Sequence, residues 1–114
     1  MSLEFKIDII SPDQSIYSNK TEEVILPCFE GQITVLKDHI PLITFLRPGL
    51  IEIGKTEKFY TEDGTVEFSD NNLLILSSTV QNLKNVSSEK IDTMIREAEK
   101  NSLQIKYLIN KDIF

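Results

Sequence analysis

From Leu3 to Ile9 the chain alternates apolar and polar residues. Leu3, Phe5, Ile7 and Ile9 are separated by Glu4, Lys6 and Asp8. A period of two marks a strand with one face buried and one wet. Ser11-Pro12-Asp13 then turns the chain, because Pro fixes φ and the Ser and Asp side chains bond nearby backbone. Ser15–Asn19 and Glu22–Leu26 read as the next two strands, the latter stopped by Pro27. Glu30-Gly31 reads as a turn into Gln32–Leu36. There, either Ile33 and Val35 alternate inward or Val35 and Leu36 are both buried. Lys37-Asp38-His39 turns the chain again, and Pro41 confines a strand through it to an edge. Leu42–Leu46 is strand-like, and Arg47-Pro48-Gly49 suits a type II turn with Gly third. After Leu50–Ile53, Asp63-Gly64 is a hairpin signal joining Phe59-Tyr60 to Val66–Phe68. Asp70-Asn71-Asn72 is a tight turn. Leu73–Ser77 is the most apolar segment and is expected to be central; Thr79–Leu83 closes the series.

Turns at intervals of roughly 8–12 residues or fewer, with no helical pattern between strands, argue for an antiparallel sandwich or flattened barrel. The period changes at Ser87-Ser88-Glu89. Ser is a good N-cap, and Glu89 puts negative charge where the helix dipole favours it. Ile91, Ile95, Ala98, Ser102, Ile105 and Ile109 then step by three and four, flanked by Met94 and Leu108, which is one apolar helix face. The predicted fold is therefore mainly β with a C-terminal α segment: about ten strands in an antiparallel β-sandwich, followed by one or two helices. The predicted division is a sandwich over residues 1–86 and a helical segment over 87–114. The second supplies 28 positions, and a helix averages about 10–14. An incomplete hairpin is the expectation.

Charge sharpens this division. Of 18 acidic and 12 basic residues, 13 and 7 fall in 1–86, and 5 and 5 in 87–114. The net charge of −6 thus belongs wholly to the predicted sandwich. An acidic chain without a basic cluster is a poor binder of nucleic acid or anionic lipid. No apolar run approaches the roughly 20 residues of a membrane span, so direct membrane insertion is not expected. Nor does an n-region and h-region pattern open the chain. One cysteine, Cys28, excludes an internal disulfide and fits a reducing compartment. With one His, His39, it leaves too few soft ligands for structural zinc.

Candidate chemistry is sparse. Nucleophilic catalysis needs a nucleophile, a base and an orienting group, and neither Cys28 nor His39 has a signature around it. Glu22-Glu23 and Glu62-Asp63 are carboxylate pairs in strands and turns, where acids are usually solvated. The four glycines are too scattered to cradle phosphate. A carbohydrate-binding sandwich commonly uses Trp or Tyr platforms, and this chain has no Trp and three Tyr. No cofactor is expected.

A longer string is more specific. It runs Glu30-Gly31, Val35-Leu36, His39, Pro41-Leu42, Leu46, Pro48-Gly49. Upstream stand Ser11-Pro12, Tyr17-Ser18, Val24 and Pro27; downstream stand Gly64, Val66-Glu67, Asn72 and Leu73–Ser77. In order and spacing this resembles the ε subunit of F-type ATP synthases, across nearly all of residues 3–98. The resemblance implies a β-sandwich followed by C-terminal helices, without an active site. It implies a place at the foot of the rotary stalk, between the γ subunit and the c ring, as a peripheral component on the cytoplasmic face of the bacterial inner membrane. The helices of the family regulate ATP hydrolysis, touching α and β subunits transiently, and in some bacteria they bind ATP.

Matching position by position, the resemblance assigns Glu30, Gly31 and Gln32 to the c-ring loop. It assigns Ser11, His39 and Thr44 to the γ-facing side, with Pro41, Leu42, Pro48 and Gly49 as structural support and Pro41-Leu42 buried. Gln32 stands where the family often has an acid. Lys37-Asp38 replaces a common Pro-Gly, so that turn is expected to be built differently, since neither residue has Gly's freedom at positive φ. The ATP-sensing motif would use Ile91, Asp92 and an arginine. Arg96 falls one place late, which moves a helical side chain about 100° around the axis.

Overall fold

A computed structural model describes residues 2–84, 86–87 and 89–100. Alternation does become strand. The strands are β1 (Phe5–Ile10), β2 (Ser15–Thr21), β3 (Glu23–Cys28), β4 (Gly31–Leu36), β5 (Leu42–Leu46), β6 (Gly49–Ile53), β7 (Glu57–Thr61), β8 (Gly64–Ser69), β9 (Asn72–Leu76) and β10 (Gln81–Asn82). The neighbour order is β10-β7-β6-β3-β5-β8-β9-β1-β2, with β4 on the other side of β3. β3 and β5 share one pair, Cys28 with Leu46. The sheet therefore curls at that pair into two layers. One holds β10, β7, β6, β3 and β4; the other holds β5, β8, β9, β1 and β2. All ladders are antiparallel except β1 with β9, which is parallel. Leu73–Leu76 lies between β8 and β1, inside its layer as expected.

The layers meet over one core. The first contributes Val24, Leu26, Cys28, Val35, Ile51, Ile53 and Phe59; the second contributes Phe5, Ile7, Ile9, Leu46, Val66, Phe68, Leu73 and Ile75. Tyr17 of the second layer packs edge-on against Phe59 of the first, with ring centroids 5.4 Å apart. Close-packed interiors deform little, which makes this body stiff.

Several local expectations change. β1 starts at Phe5, leaving Leu3 in solvent. β3 runs through Pro27 to Cys28. The Pro27 carbonyl points away from β4 and accepts the Arg47 N–H at 2.9 Å. The missing N–H would lie on that same side, so no β3–β4 bond is lost. Phe29 and Glu30 form the two-residue loop, and Gly31 already begins β4. In β4 the alternation holds, with Val35 buried and Leu36 exposed. Gly49 has no positive φ, so the type II turn is absent. Gly is needed there because an added Cβ would stand 2.7 Å from the Pro27 Cβ.

Asp63-Gly64 is not a hairpin. β7 pairs with β6 and β10, while β8 pairs with β5 and β9. The chain crosses between layers there. Buried Thr61 holds the crossing, donating to the Asp63 carbonyl at 2.7 Å and lying 3.0 Å from the Ser77 hydroxyl. Asp70 and Asn71, with φ of 50° and 58°, form the tight β8–β9 turn. Positive φ at both central residues is the primed geometry that matches strand twist. Asp38 also takes positive φ, 65°. Its amide donates to Asn71 Oδ1 at 2.7 Å, and Asn71 Nδ2 donates to Asp38 Oδ1 at 2.9 Å. This reciprocal pair supports a turn made without glycine.

The chain divides after Lys84 into a second unit. Its helix α1 (89–100) is capped by Ser87, whose hydroxyl accepts the Lys90 N–H at 3.3 Å. Ser102, Ile105, Leu108 and Ile109 lie outside the described residues. Among the described residues no helix is long and apolar enough to cross a membrane.

Candidate docking faces of the sandwich

The β3–β4 hairpin places Glu30 at its loop and Gly31 and Gln32 at the start of β4. The tip is fastened to β5. The Phe29 N–H donates to the Phe45 carbonyl at 3.1 Å. The Thr44 hydroxyl donates to the Glu30 carboxylate, with Oγ1 2.8 Å from Oε1 and 2.7 Å from Oε2. The Thr44 bond, together with Glu30's own backbone N–H, holds the Glu30 carboxyl below its ordinary pKa. Hydrogen bonds to the ionised form are the cause.

Just behind the tip lies Cys28, fully buried. Desolvation first, and the Glu30 charge second, push its thiol up to about 11, against a smaller opposing effect of Arg47. A raised pKa of about two units means roughly 100-fold less thiolate near neutral pH. Disulfide-exchange labelling of the folded protein should therefore run at least ~100-fold slower than in denaturant. Equal rates would contradict this placement.

The three residues assigned to the γ-facing side do not converge. Ser11 lies in the β1–β2 turn, where its N–H and hydroxyl both donate to the Gln14 carbonyl, at 2.9 and 3.1 Å. His39 is half-buried at the opposite end of the same layer. Its Nδ1–H donates to the Ile40 carbonyl at 2.7 Å, and its ring stands edge-on to Phe68. Thr44 lies between them on β5, but it is only 3% exposed and faces the core. Of the support residues, Leu42 packs on the core while Pro41 is exposed, so the expected burial of Pro41-Leu42 holds for Leu42 alone. Pro48 is half-buried and Gly49 buried beside Pro27. Ile91, Asp92 and Arg96 all fall in α1, with Asp92 and Arg96 exposed.

A surface that sequence reasoning missed emerges from the register. With Leu42, Thr44 and Leu46 inward, Ile43 and Phe45 point out, 81% and 57% exposed. The pairing carries two rows across the outer face: Ile43, Glu67, Leu74 and Asp8 in one, Phe45, Thr65, Leu76 and Ile10 in the other. Leu76 is 45% exposed, and Ile40 and Phe29 flank β5 in solvent. Large exposed apolar groups gathered on one face make it the candidate docking surface of the sandwich. Among the described residues no group of His, Cys, Asp or Glu is placed to hold a metal ion.

Comparison with known proteins gives this geometry a setting. Residues 4–82 match the family described as the ATP synthase delta/epsilon chain, beta-sandwich domain. The ATP synthase epsilon chain of Pelagibacter ubique is 43% identical over 99% of this chain and 95% of its own length. That of Dichelobacter nodosus is 31% identical over 88% of this chain and 73% of its own. Among solved structures, the sandwich is similar to a chain of the Euglena gracilis mitochondrial ATP synthase, OSCP/F1/c-ring in rotational state 1. The TM-score is 0.71 at 20% identity, covering 88% of this chain and 66% of that one. A chain of the Tetrahymena thermophila mitochondrial ATP synthase central stalk and c-ring matches with a TM-score of 0.60 at 17% identity, over 73% and 69%. At these identities the two structures bear on the fold alone.

Proposed function

The chain belongs to the ATP synthase epsilon-chain family, and from that premise we propose that it is a non-catalytic central-stalk subunit. In this reading it fixes the γ subunit to the c ring, so that proton-driven rotation reaches the catalytic sites and drives ATP synthesis. The complex is a peripheral one, placed here on the cytoplasmic face of the bacterial inner membrane. The observation that carries the reading is the outward cluster of Ile43, Phe45 and Leu76, spread over two neighbouring rows on a stiff two-layer body. Torque passes through a body that resists shear, and an apolar face docks it without needing paired charges.

The outer face of β5, β8 and β9 is assigned to γ. Ser11 and His39 mark its two ends, and Thr44 acts from beneath. The tip Glu30, Gly31 and Gln32 is assigned to the c ring. Helix α1 is assigned a regulatory role through transient contact with α and β subunits. Titrating the 114-residue chain with purified γ subunit in a calorimeter should give saturable one-to-one binding. The binding should carry a negative heat-capacity change, the mark of apolar burial. Absence of binding would defeat the assignment.

A further inference from the structure

Thr44 is the one polar residue among the inward positions of β5. A hydroxyl in an apolar layer is costly unless it finds a partner. Its partner lies outside the core, at the tip of the preceding β3–β4 hairpin, where it donates to the Glu30 carboxylate at 2.7–2.8 Å. Beside it, the Phe29 amide is fixed to the Phe45 carbonyl. Two consecutive loop residues are thus tied to two consecutive residues of β5. Glu30 is exposed, yet its side chain is anchored at the carboxylate. An ionised carboxylate has about four acceptor sites. The Thr44 hydroxyl and Glu30's own amide leave part of that capacity open to solvent. Among the described residues no Lys or Arg lies within salt-bridge range of it.

We propose that Thr44 is a positioning residue that presents the Glu30 carboxylate, already oriented, to a cationic side chain on the partner docking at the hairpin tip. Arg suits this best, because its planar fork meets a carboxylate in a defined orientation. A carboxylate held in place loses little freedom on binding, so the anchor favours association without itself touching the partner. The inference rests on the assignment of this tip to the c ring.

The test uses the full chain and an assembled rotor of γ subunit and c ring. Thr44→Val keeps the shape and removes the hydroxyl; Thr44→Ser keeps the hydroxyl. In the isolated chain, NMR titration of Glu30 should show a pKa below the ordinary carboxylate range. That depression should shrink in Thr44→Val to the part that Glu30's own amide supplies, and survive in full in Thr44→Ser. Thr44→Val and Glu30→Gln should each weaken rotor binding by about tenfold, and the double variant no further, since both remove one unit. An unchanged Glu30 titration in Thr44→Val would overturn the anchor. So would an equal loss of binding when Thr44→Val is added to Glu30→Gln, because Thr44 would then act through the fold. If the titration responds as expected but Glu30→Gln binds the rotor as tightly as the native chain, the anchor stands and the assignment of the tip to the ring falls.

Discussion

Replacing Ile43 and Phe45 together by Asp is expected to weaken binding to a γ subunit by at least about 100-fold, or ~2.7 kcal/mol. The cause is desolvation. Both side chains stand in solvent on β5, so the free protein loses little apolar burial when they go. Docking would then have to bury two carboxylates without partners, which costs more than the lost apolar contact alone. Position 43 lies directly across from Glu67 on β8, so a new acid there also meets a like charge, which disfavours binding of anything that excludes water from the pair. The isolated chain should stay folded. Exposed strand positions differ by about 1 kcal/mol across residue types, so the joint loss in stability is bounded near ~2 kcal/mol. Thr34→Asp, an exposed change on β4 of the other layer, should leave γ affinity within about twofold. Calorimetric affinities paired with thermal melts separate the two effects. A double Asp variant that binds γ normally would remove this face from the interface.

The second large effect concerns the crossing between layers. Gly64→Val is expected to destabilise the chain by about 3 kcal/mol or more, lowering Tm by roughly 15 °C. Gly64 has φ of 154°, and an added Cβ would stand 2.5 Å from the Leu76 carbonyl oxygen and 3.1 Å from both Leu46 Cδ1 and the Ser77 Cβ. The carbonyl is backbone in a paired strand and cannot swing away. Overpacking a tight site costs about 1–3 kcal/mol, and a side chain at a glycine-only φ adds about 1–2 more. Gly31 provides the comparison. Its φ is 122°, but a Cβ there meets nothing within 4 Å, so Gly31→Ala should lose only the backbone strain, about 1–2 kcal/mol. Denaturant melts of the two variants distinguish clash from strain. Equal losses would show that the crossing has room that the geometry denies.

Most of the strands were legible because their alternation is local. Phe5, Ile7 and Ile9 face inward wherever β1 pairs, since the side-chain period is fixed at two. Reading failed where a decision depended on a distant segment. Leu42–Leu46 is apolar at both phases apart from Thr44, and the sequence invites burial of Ile43 and Phe45. The fold takes the opposite phase, set by the register with β8, and Thr44 finds its partner in Glu30 fourteen residues back along the chain. That phase exposes the face proposed for docking and hides Thr44, a residue assigned to it. Asp63-Gly64 has the local chemistry of a hairpin, yet Thr61, Ser77 and Thr79 join there through hydroxyls held 16 to 18 positions apart, and the chain crosses layers instead. Pro27 has the look of a strand end, but the direction of its missing N–H, set by pairing, decides that no β3–β4 bond is lost. The candidate site divided the same way. The Glu30–Gln32 tip follows from a hairpin, whereas the apolar rows need the register of β5, β8, β9 and β1 together.

In the proposed assembly one outer face of the sandwich, that of β5, β8 and β9, docks on the γ subunit. A photo-crosslinking amino acid placed at position 43 on that face, and separately at position 34 on the outer face of the other layer, tests it within an assembled rotor of this chain, γ and c ring. Crosslinks to γ from position 43, with little or none from position 34, are the predicted result. Crosslinks to γ from position 34 and none from position 43 would contradict the claim.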